Sequence, residues 1–209
     1  MDLKRIFSGL LGKGRKERTG HRNDVIVVSG LPRSGTSMMM RMLEAGGVPT
    51  LTDGVREANA DNPDGYYEFE RVKALEHDKE WVQEARGRAV KVISALLEHL
   101  PRGHTYKVVF MERHLDEVLA SQRRMLQREG KPTDEVNDES LRELFEKHLA
   151  ESKDWLRKQP HVEALYICYN EAIADPSKAA ASVNRFLGGN LDEEAMSNVI
   201  DPTLYRQRK

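Results

Sequence analysis

Residues 24–47 decide the fold, and they read D-V-I-V-V-S-G-L-P-R-S-G-T-S-M-M-M-R-M-L-E-A-G-G. The β-branched run at 25–28 is too short for a helix and is typical of a strand buried on both faces. A loop with Gly30 and Gly35 follows, and the apolar residues after it recur at helical spacing up to a glycine pair. This order of strand, loop and helix directs backbone N–H groups and a positive helix end at one anion-sized space. The stretch therefore predicts a phosphate-binding loop.

The two glycines are spaced as in the nucleotide-binding motif G-x-x-x-x-G-K-[ST], but Thr36 stands where that motif has its lysine. Ser37 occupies the Ser/Thr position, and Arg33 provides a cation within the loop. Because the lysine and Mg²⁺ supply much of the charge neutralisation in phosphoryl transfer, its absence makes nucleoside-triphosphate chemistry the weaker interpretation. A glycine turn that only packs a helix on a sheet is a further alternative.

The rest of the chain alternates helices with short apolar strands. Strands are predicted over 89–93, 107–111 and 162–168, and helices over 71–86, 115–126, 138–158, 176–187 and 191–200. Asp138 or Ser140 is expected to cap the long helix. The alternation predicts an α/β protein with a three-layer P-loop-type fold, in which helices cover both faces of a parallel sheet. Ligands bind at the carboxyl ends of such strands, where Arg33 and Arg113 are both expected.

The composition divides the chain of 209 residues into two parts. Residues 1–23 carry seven Lys/Arg and one apolar helical face, which predicts a basic amphipathic arm separate from a domain over 24–209. The arm is either a frayed or docked helix or a weak contact to a membrane surface or partner. Its apolar part is too short and mixed for a signal peptide or a membrane span.

The charge and the single cysteine restrict the class of partner and the compartment. A net charge of −1, from 33 basic and 34 acidic residues, provides no global field to recruit nucleic acid, so none is expected as a partner. One cysteine forms no disulfide within the chain, which agrees with a cytoplasmic location, the inner membrane face being the alternative. No metal is expected, because the seven histidines are dispersed and lack the spacing of metal ligands.

Two segments, P-R-S-G-T-S at 32–37 and the stretch at 107–122, together resemble the sulfotransferases that use 3′-phosphoadenosine 5′-phosphosulfate (PAPS), especially short bacterial members. The string P-R-S-G-T-S at 32–37 is similar to the 5′-phosphosulfate loop of that family. In K-V-V-F-M-E-R-H-L-D-E-V-L-A-S-Q, residues 107–122, Arg113 and Ser121 match the arginine and serine that hold the 3′-phosphate. Tyr169 matches a tyrosine that contacts the adenine. The resemblance implies sulfonate transfer from PAPS, without a metal, to a hydroxyl or amine.

The resemblance also assigns residues to the two sides of the site. The cofactor side would be formed by Arg33, Ser34, Gly35, Thr36, Ser37, Arg113, Ser121, Tyr169 and Arg206. Arg33 would neutralise charge on the bridging oxygen, although an arginine, unlike lysine, cannot give up a proton as a general acid. The acceptor is expected to be a small molecule, a carbohydrate or a lipid.

The base that removes the acceptor proton is expected beside the polar loop 50–70. Some members of the family use a histidine after the strand that here contains Lys91, and Ser94 is the residue near that place. Others use a glutamate downstream of the phosphosulfate loop, for which Glu68, preferred for its place in G-Y-Y-E, and Glu57 are the candidates. Lys91 itself reaches either solvent or the sulfonate, since a buried lysine needs water or an anion.

Two functions of other classes remain open from the residues alone. A P-loop kinase or NTPase would require Mg²⁺ and a triphosphate, and Glu112 at a strand end could then be a ligand of the metal. A non-catalytic nucleotide-binding scaffold would bind nucleotide without turnover.

Overall fold

The computed structural model describes residues 23–54, 65–128, 130 and 137–200. Apart from residue 23, the predicted arm lies outside these residues, and so do the candidate base Glu57 and the candidate cofactor residue Arg206. No helix within the described ranges is long and apolar enough to cross a bilayer.

Four parallel strands form one sheet in the order β2-β1-β3-β4. The strands are β1 Val25–Gly30, β2 Ala89–Lys91, β3 Tyr106–Glu112 and β4 Val162–Cys168. β1 pairs with both β2 and β3, and all six of its residues are buried. The predicted parallel sheet is therefore confirmed, with its β-branched first strand in the interior, although β2 is two residues shorter than expected.

Six α-helices and three 3-10 segments surround the sheet within the described residues. The helices are α1 Thr36–Ala45, α2 Leu115–Arg128, α3 Asp138–Lys158, α4 Tyr169–Ala174, α5 Pro176–Phe186 and α6 Glu193–Asn198, and the 3-10 segments are Glu70–Ala74, Glu80–Ala85 and Ser94–His99. Helix α4 was not predicted, and it places Tyr169 at the start of a helix directly after β4.

The predicted caps of α3 are wrong, although its bounds are as expected. Asn137 is the N-cap, because its backbone is extended and its side-chain oxygen accepts a hydrogen bond of 2.7 Å from the backbone N–H of Ser140. Asp138 is already the first helical residue, so its carboxylate is one position too late for this role.

The prediction of a single helix over 71–86 is also wrong, since two 3-10 segments occupy this range. Between them, the carboxylate of Asp78 accepts hydrogen bonds from the guanidinium of Arg71 at 2.8 and 2.9 Å and from the backbone N–H two residues further on. The bond from Arg71 holds the pKa of Asp78 below its usual value. A short acidic side chain that binds nearby groups in this way competes with the backbone bonds of a continuous helix.

Side chains of β1 alternate between two hydrophobic clusters. Ile26 and Val28 pack in a cluster with apolar residues of α1, α5 and α6. Val25 and Val27 pack in a second cluster, which includes Trp81 from a 3-10 segment and a leucine of α3. Because the two clusters lie on opposite sides of the strand, both faces of the sheet are covered. The predicted three-layer α/β arrangement is confirmed.

Candidate functional site

The loop between β1 and α1 is packed into one shape at the carboxyl edge of the sheet. Gly30 and Gly35 have φ of 145° and 97°, and a Cβ on either residue would approach another group closer than 3.0 Å. These groups are the carbonyl of Met111 and the ring of Tyr169, respectively. Arg33 has φ of 71°, a left-handed conformation that is uncommon for a residue other than glycine. The loop is thus preformed, as a phosphate-binding loop has to be.

One hydroxyl inside this loop suits an anion. Ser34 is 1% exposed, and its hydroxyl has no hydrogen-bond partner within the described part of the chain. A buried polar group in this condition is destabilising unless water or a ligand completes its hydrogen bonding. Thr36 begins α1, so backbone N–H groups at the first turn of this helix lie beside the loop. An anion at this point would receive hydrogen bonds from both sources.

A second cluster of polar groups is joined directly to the loop. Arg113, which follows β3, donates from Nη1 to the carbonyl oxygen of Arg33 at 3.1 Å. Arg33 in turn donates from Nε to the hydroxyl of Ser121 at 2.9 Å. The guanidinium of Arg113 lies 4.4 Å from the centre of the Tyr169 ring, a cation–π distance. The structure thus brings together four residues that sequence analysis had assigned to the cofactor.

Tyr169 contacts both parts of this arrangement. Its ring faces Gly35 on one side, where only a hydrogen atom fits, and the guanidinium of Arg113 lies over the ring. Burial raises the pKa of Tyr169, an effect that the charge of Arg113 partly opposes. The phenol therefore stays protonated at neutral pH and presents an uncharged ring beside the loop.

Glu117 belongs to the same network, although no sequence motif pointed to this residue. It is 3% exposed, and its Oε2 accepts a hydrogen bond from Nε of Arg113 at 2.9 Å. Its Oε1 accepts from the side-chain amide of Asn170, also at 2.9 Å. Glu117 and Ser121 lie one turn apart in α2, but Arg113 precedes this helix by two residues, so the spacing alone did not show that Arg113 and Glu117 meet.

Lys91 and Glu68 lie together on the other side of the loop. The Lys91 side chain is 10% exposed, its ammonium lies 3.7 Å from Oε1 of Glu68, and it donates a hydrogen bond to the carbonyl oxygen of Tyr66. The hydroxyl of Ser37 donates to the same carbonyl at 3.4 Å. Of the two alternatives for Lys91, the one in which its ammonium reaches solvent does not hold, since the side chain is mostly buried and its charge is paired with Glu68. The carbonyl of Tyr66 thus links this pair to Ser37, at the start of α1.

Ser94 also has a partner that the sequence did not reveal. Its hydroxyl is buried and lies 2.8 Å from Nε2 of His148, and the same nitrogen lies 3.3 Å from the hydroxyl of Ser152. His148 comes from α3, 54 residues later in the chain. A histidine side chain therefore stands beside the first residue of the 3-10 segment that follows β2.

Two observations concern the magnesium alternative. The carboxylate of Glu112, the group that this alternative assigns to the metal, forms an ion pair with Lys153. Among the residues with described positions, no three His, Cys, Asp or Glu side chains form a cluster suited to a metal ion.

Three solved structures with similar folds are all sulfotransferases. The mouse sulfotransferase SULT7A1 complexed with PAP aligns with a TM-score of 0.55 and 20% identity, over 86% of this chain and 63% of that one. The sulfotransferase domain of the Synechococcus PCC 7002 olefin synthase aligns with a TM-score of 0.52 and 17% identity, over 93% of this chain and 86% of that one. The sulfotransferase STF1 from Mycobacterium tuberculosis H37Rv aligns with a TM-score of 0.54 and 17% identity, over 85% of this chain and 70% of that one. This chain therefore spans less than two thirds of the mouse enzyme.

The amino-acid sequence was also compared with curated proteins and with models of protein families. No curated protein matches the chain significantly. A family model described as the sulfotransferase domain matches residues 22–209. Since this match covers nearly all of the chain, the protein belongs to the sulfotransferase family.

Proposed function

We propose that the protein transfers a sulfonate group from PAPS to a hydroxyl or amine group of an acceptor. The observation that carries the proposal is the contact of Arg33 with both Arg113 and Ser121, which joins the phosphate loop to a second cationic pocket. PAPS carries a 5′-phosphosulfate and a separate 3′-phosphate, so it needs two neighbouring anion pockets. A nucleoside triphosphate has its charges in one chain and normally uses the lysine that Thr36 replaces. Family membership supports the same donor.

The proposed donor site uses both parts of the network. Hydroxyl and backbone N–H groups of Ser34, Gly35, Thr36 and Ser37 would hold the 5′-phosphate, Arg113 and Ser121 the 3′-phosphate, and Tyr169 the adenine. Arg206 remains a proposed further contact. Arg33 would stabilise the negative charge that develops on the bridging oxygen, because its guanidinium is always charged.

In the proposed reaction, the acceptor oxygen or nitrogen attacks the sulfur atom and forms a new bond to it. The bond between sulfur and the bridging oxygen breaks at the same time, and 3′-phosphoadenosine 5′-phosphate (PAP) leaves. The acceptor proton passes to a base, for which we propose Glu68. Lys91, whose ammonium lies 3.7 Å from the Glu68 carboxylate, would stabilise the sulfonate oxygens in the transition state.

The donor assignment is tested by ligand binding. PAP should raise the melting temperature of the protein more than ATP with Mg²⁺ at the same concentration. A ligand that binds only the native state stabilises it by about 2.7 kcal/mol at a hundredfold excess over its Kd. If calorimetric titration shows that ATP with Mg²⁺ binds more tightly than PAP, a P-loop kinase or NTPase replaces the proposed function.

The base assignment is tested with Glu68→Gln, which keeps the size of the side chain and removes its basicity. Turnover with labelled PAPS and a pool of candidate small-molecule, carbohydrate and lipid acceptors should fall by ~10²–10⁴, whereas PAP affinity should stay near that of the wild type. Glu70→Gln is the matched control, because this exposed carboxylate pairs with Lys73 at 2.8 Å. If Glu57→Gln causes the large loss instead, the role belongs to Glu57.

The proposed division of the chain has a separate test. If residues 1–23 form an arm outside the catalytic domain, deletion of residues 1–20 leaves PAP affinity and melting temperature near those of the full chain. Flotation with anionic lipid vesicles then tests the membrane contact, which the full chain should show and the truncated chain should lack. A truncated protein that fails to fold would contradict the division.

A further inference from the structure

We propose that Glu117 is a positioning residue for recognition of the 3′-phosphate, and that it acts by holding Arg113 in the orientation that this phosphate requires. Glu117 itself does not touch the nucleotide. The proposal rests on the proposed function, because it presupposes a nucleotide with a 3′-phosphate.

The side chain of Arg113 is held by two hydrogen bonds and one ring contact. Its Nε donates to Oε2 of Glu117 at 2.9 Å, and its Nη1 donates to the carbonyl oxygen of Arg33 at 3.1 Å. A guanidinium group is planar and rigid, so bonds at these two nitrogens determine the direction of every other N–H on the group. The ring of Tyr169 supports the plane from a distance of 4.4 Å. Arg113 is therefore oriented by the protein from three directions.

The carboxylate of Glu117 is itself held in place by burial and by a second hydrogen bond. Its carboxylate is buried, with 3% of the side chain exposed, and the Arg113 side chain is 8% exposed. Burial of a charged pair is unfavourable unless both groups are fully hydrogen-bonded. Asn170 supplies a bond to the second carboxylate oxygen at 2.9 Å, from the first turn of α4. Helices α2 and α4 thus fix the carboxylate jointly, and the carboxylate fixes the arginine.

The negative charge of Glu117 would by itself disfavour phosphate binding in a neighbouring pocket. Its charge offsets that of Arg113 and repels an incoming phosphate. If Glu117 affected binding only through its charge, neutralising it would strengthen PAP binding. If Glu117 acts by orienting Arg113, neutralising it weakens PAP binding, since a charge-assisted hydrogen bond is roughly twice as strong as a neutral one. The two possibilities therefore predict changes of opposite sign in the affinity for PAP when Glu117 is neutralised.

The central experiment compares Glu117→Gln with the wild type in titrations of PAP and of adenosine 5′-phosphate, which lacks the 3′-phosphate. We expect the variant to bind PAP about tenfold more weakly, corresponding to one charge-assisted bond made neutral. Its affinity for adenosine 5′-phosphate should change by less than about twofold, because the groups proposed to hold the 5′-phosphate belong to residues 34–37, whereas Arg113 bonds to the carbonyl of Arg33. Tighter PAP binding, or equal losses for both nucleotides, would overturn the proposal.

Asp116→Asn is the matched control, since this carboxylate is adjacent in α2 but forms an ion pair with Arg142 of α3. It should leave the ratio of the two affinities unchanged. Asn170→Ala provides a second variant that keeps the buried charges, and it should weaken PAP selectively but less than Glu117→Gln does. If Glu117→Gln does not fold, the ratio measured for Asn170→Ala decides, and an unchanged ratio would overturn the proposal.

A double-mutant cycle separates positioning from a direct effect. Once Arg113 is replaced by alanine, Glu117 has nothing to orient, so Arg113→Ala/Glu117→Gln should bind PAP no more weakly than Arg113→Ala does. Additive losses would contradict the proposal. If the wild type itself fails to prefer PAP over adenosine 5′-phosphate, the proposed function is wrong, an outcome that is distinct from failure of the inference.

Discussion

Replacing Gly35 by alanine tests whether the loop is held in one shape by close packing. The φ of 97° at Gly35 costs a residue with a Cβ ~1–2 kcal/mol. The added Cβ would also lie closer than 3.0 Å to the ring of Tyr169. This ring cannot withdraw easily, because the guanidinium of Arg113 lies over it. Overpacking of this kind costs ~1–3 kcal/mol, so the total loss of stability should be about 2–5 kcal/mol.

The assay is urea denaturation of the wild type and of Gly35→Ala, followed by titration of the folded variant with PAP, which should bind weakly. Gly189→Ala is the matched control, because φ is 79° and an added Cβ meets no described atom within 4 Å. It should lose only the ~1–2 kcal/mol of backbone strain. Gly35→Ala/Tyr169→Ala should be more stable than the sum of the single losses predicts. Equal effects of Gly35→Ala and Gly189→Ala, or an additive double variant, would refute the packing argument.

Three further predictions follow from the contacts described above. Arg113→Ala and Ser121→Ala should weaken PAP and spare adenosine 5′-phosphate in calorimetric titrations, the arginine having the larger effect; equal losses for both nucleotides would contradict a role at the 3′-phosphate. Lys91→Met should lower turnover of PAPS with little change in PAP affinity, whereas a large loss of affinity would assign the lysine to nucleotide binding. Burial lowers the pKa of His104 and of His161, so the unfolded chain binds more protons than the native protein as pH falls below ~6.5. The urea midpoint should therefore fall from pH 7.5 to pH 5.5, and less steeply in His104→Asn/His161→Asn; an unchanged slope would show that other groups dominate.

The sequence by itself determined the elements that place the site. Hydrophobic periodicity reports the burial of a local segment, so the strand, loop and helix over 24–47 could be recognised without coordinates. The same holds for the strand before Arg113 and for the bounds of α3. Residues that follow parallel strands share one edge of the sheet, which is why Arg33 and Arg113 could be expected near each other.

The sequence was less informative where polar side chains override the local pattern. One helix is predicted over 71–86, but the structure has two 3-10 segments there, and Asp78, which bonds to Arg71 and to the backbone, lies between them. Helix α4 escaped notice for another reason. It is six residues long, which is too short for a periodic pattern to stand out.

Only the tertiary structure decided which polar groups meet. Arg33 and Ser121 are 88 residues apart, Glu117 and Asn170 are 53 apart, and each pair is joined by a hydrogen bond of 2.9 Å. These contacts depend on the strand order β2-β1-β3-β4, which sets side by side segments that are distant in the chain. Local patterns do not specify strand order, because a run of apolar residues reports that a strand is buried but not which strands lie beside it. The contacts of Glu117 and Asn170 became visible for this reason only once the strands and helices were assembled.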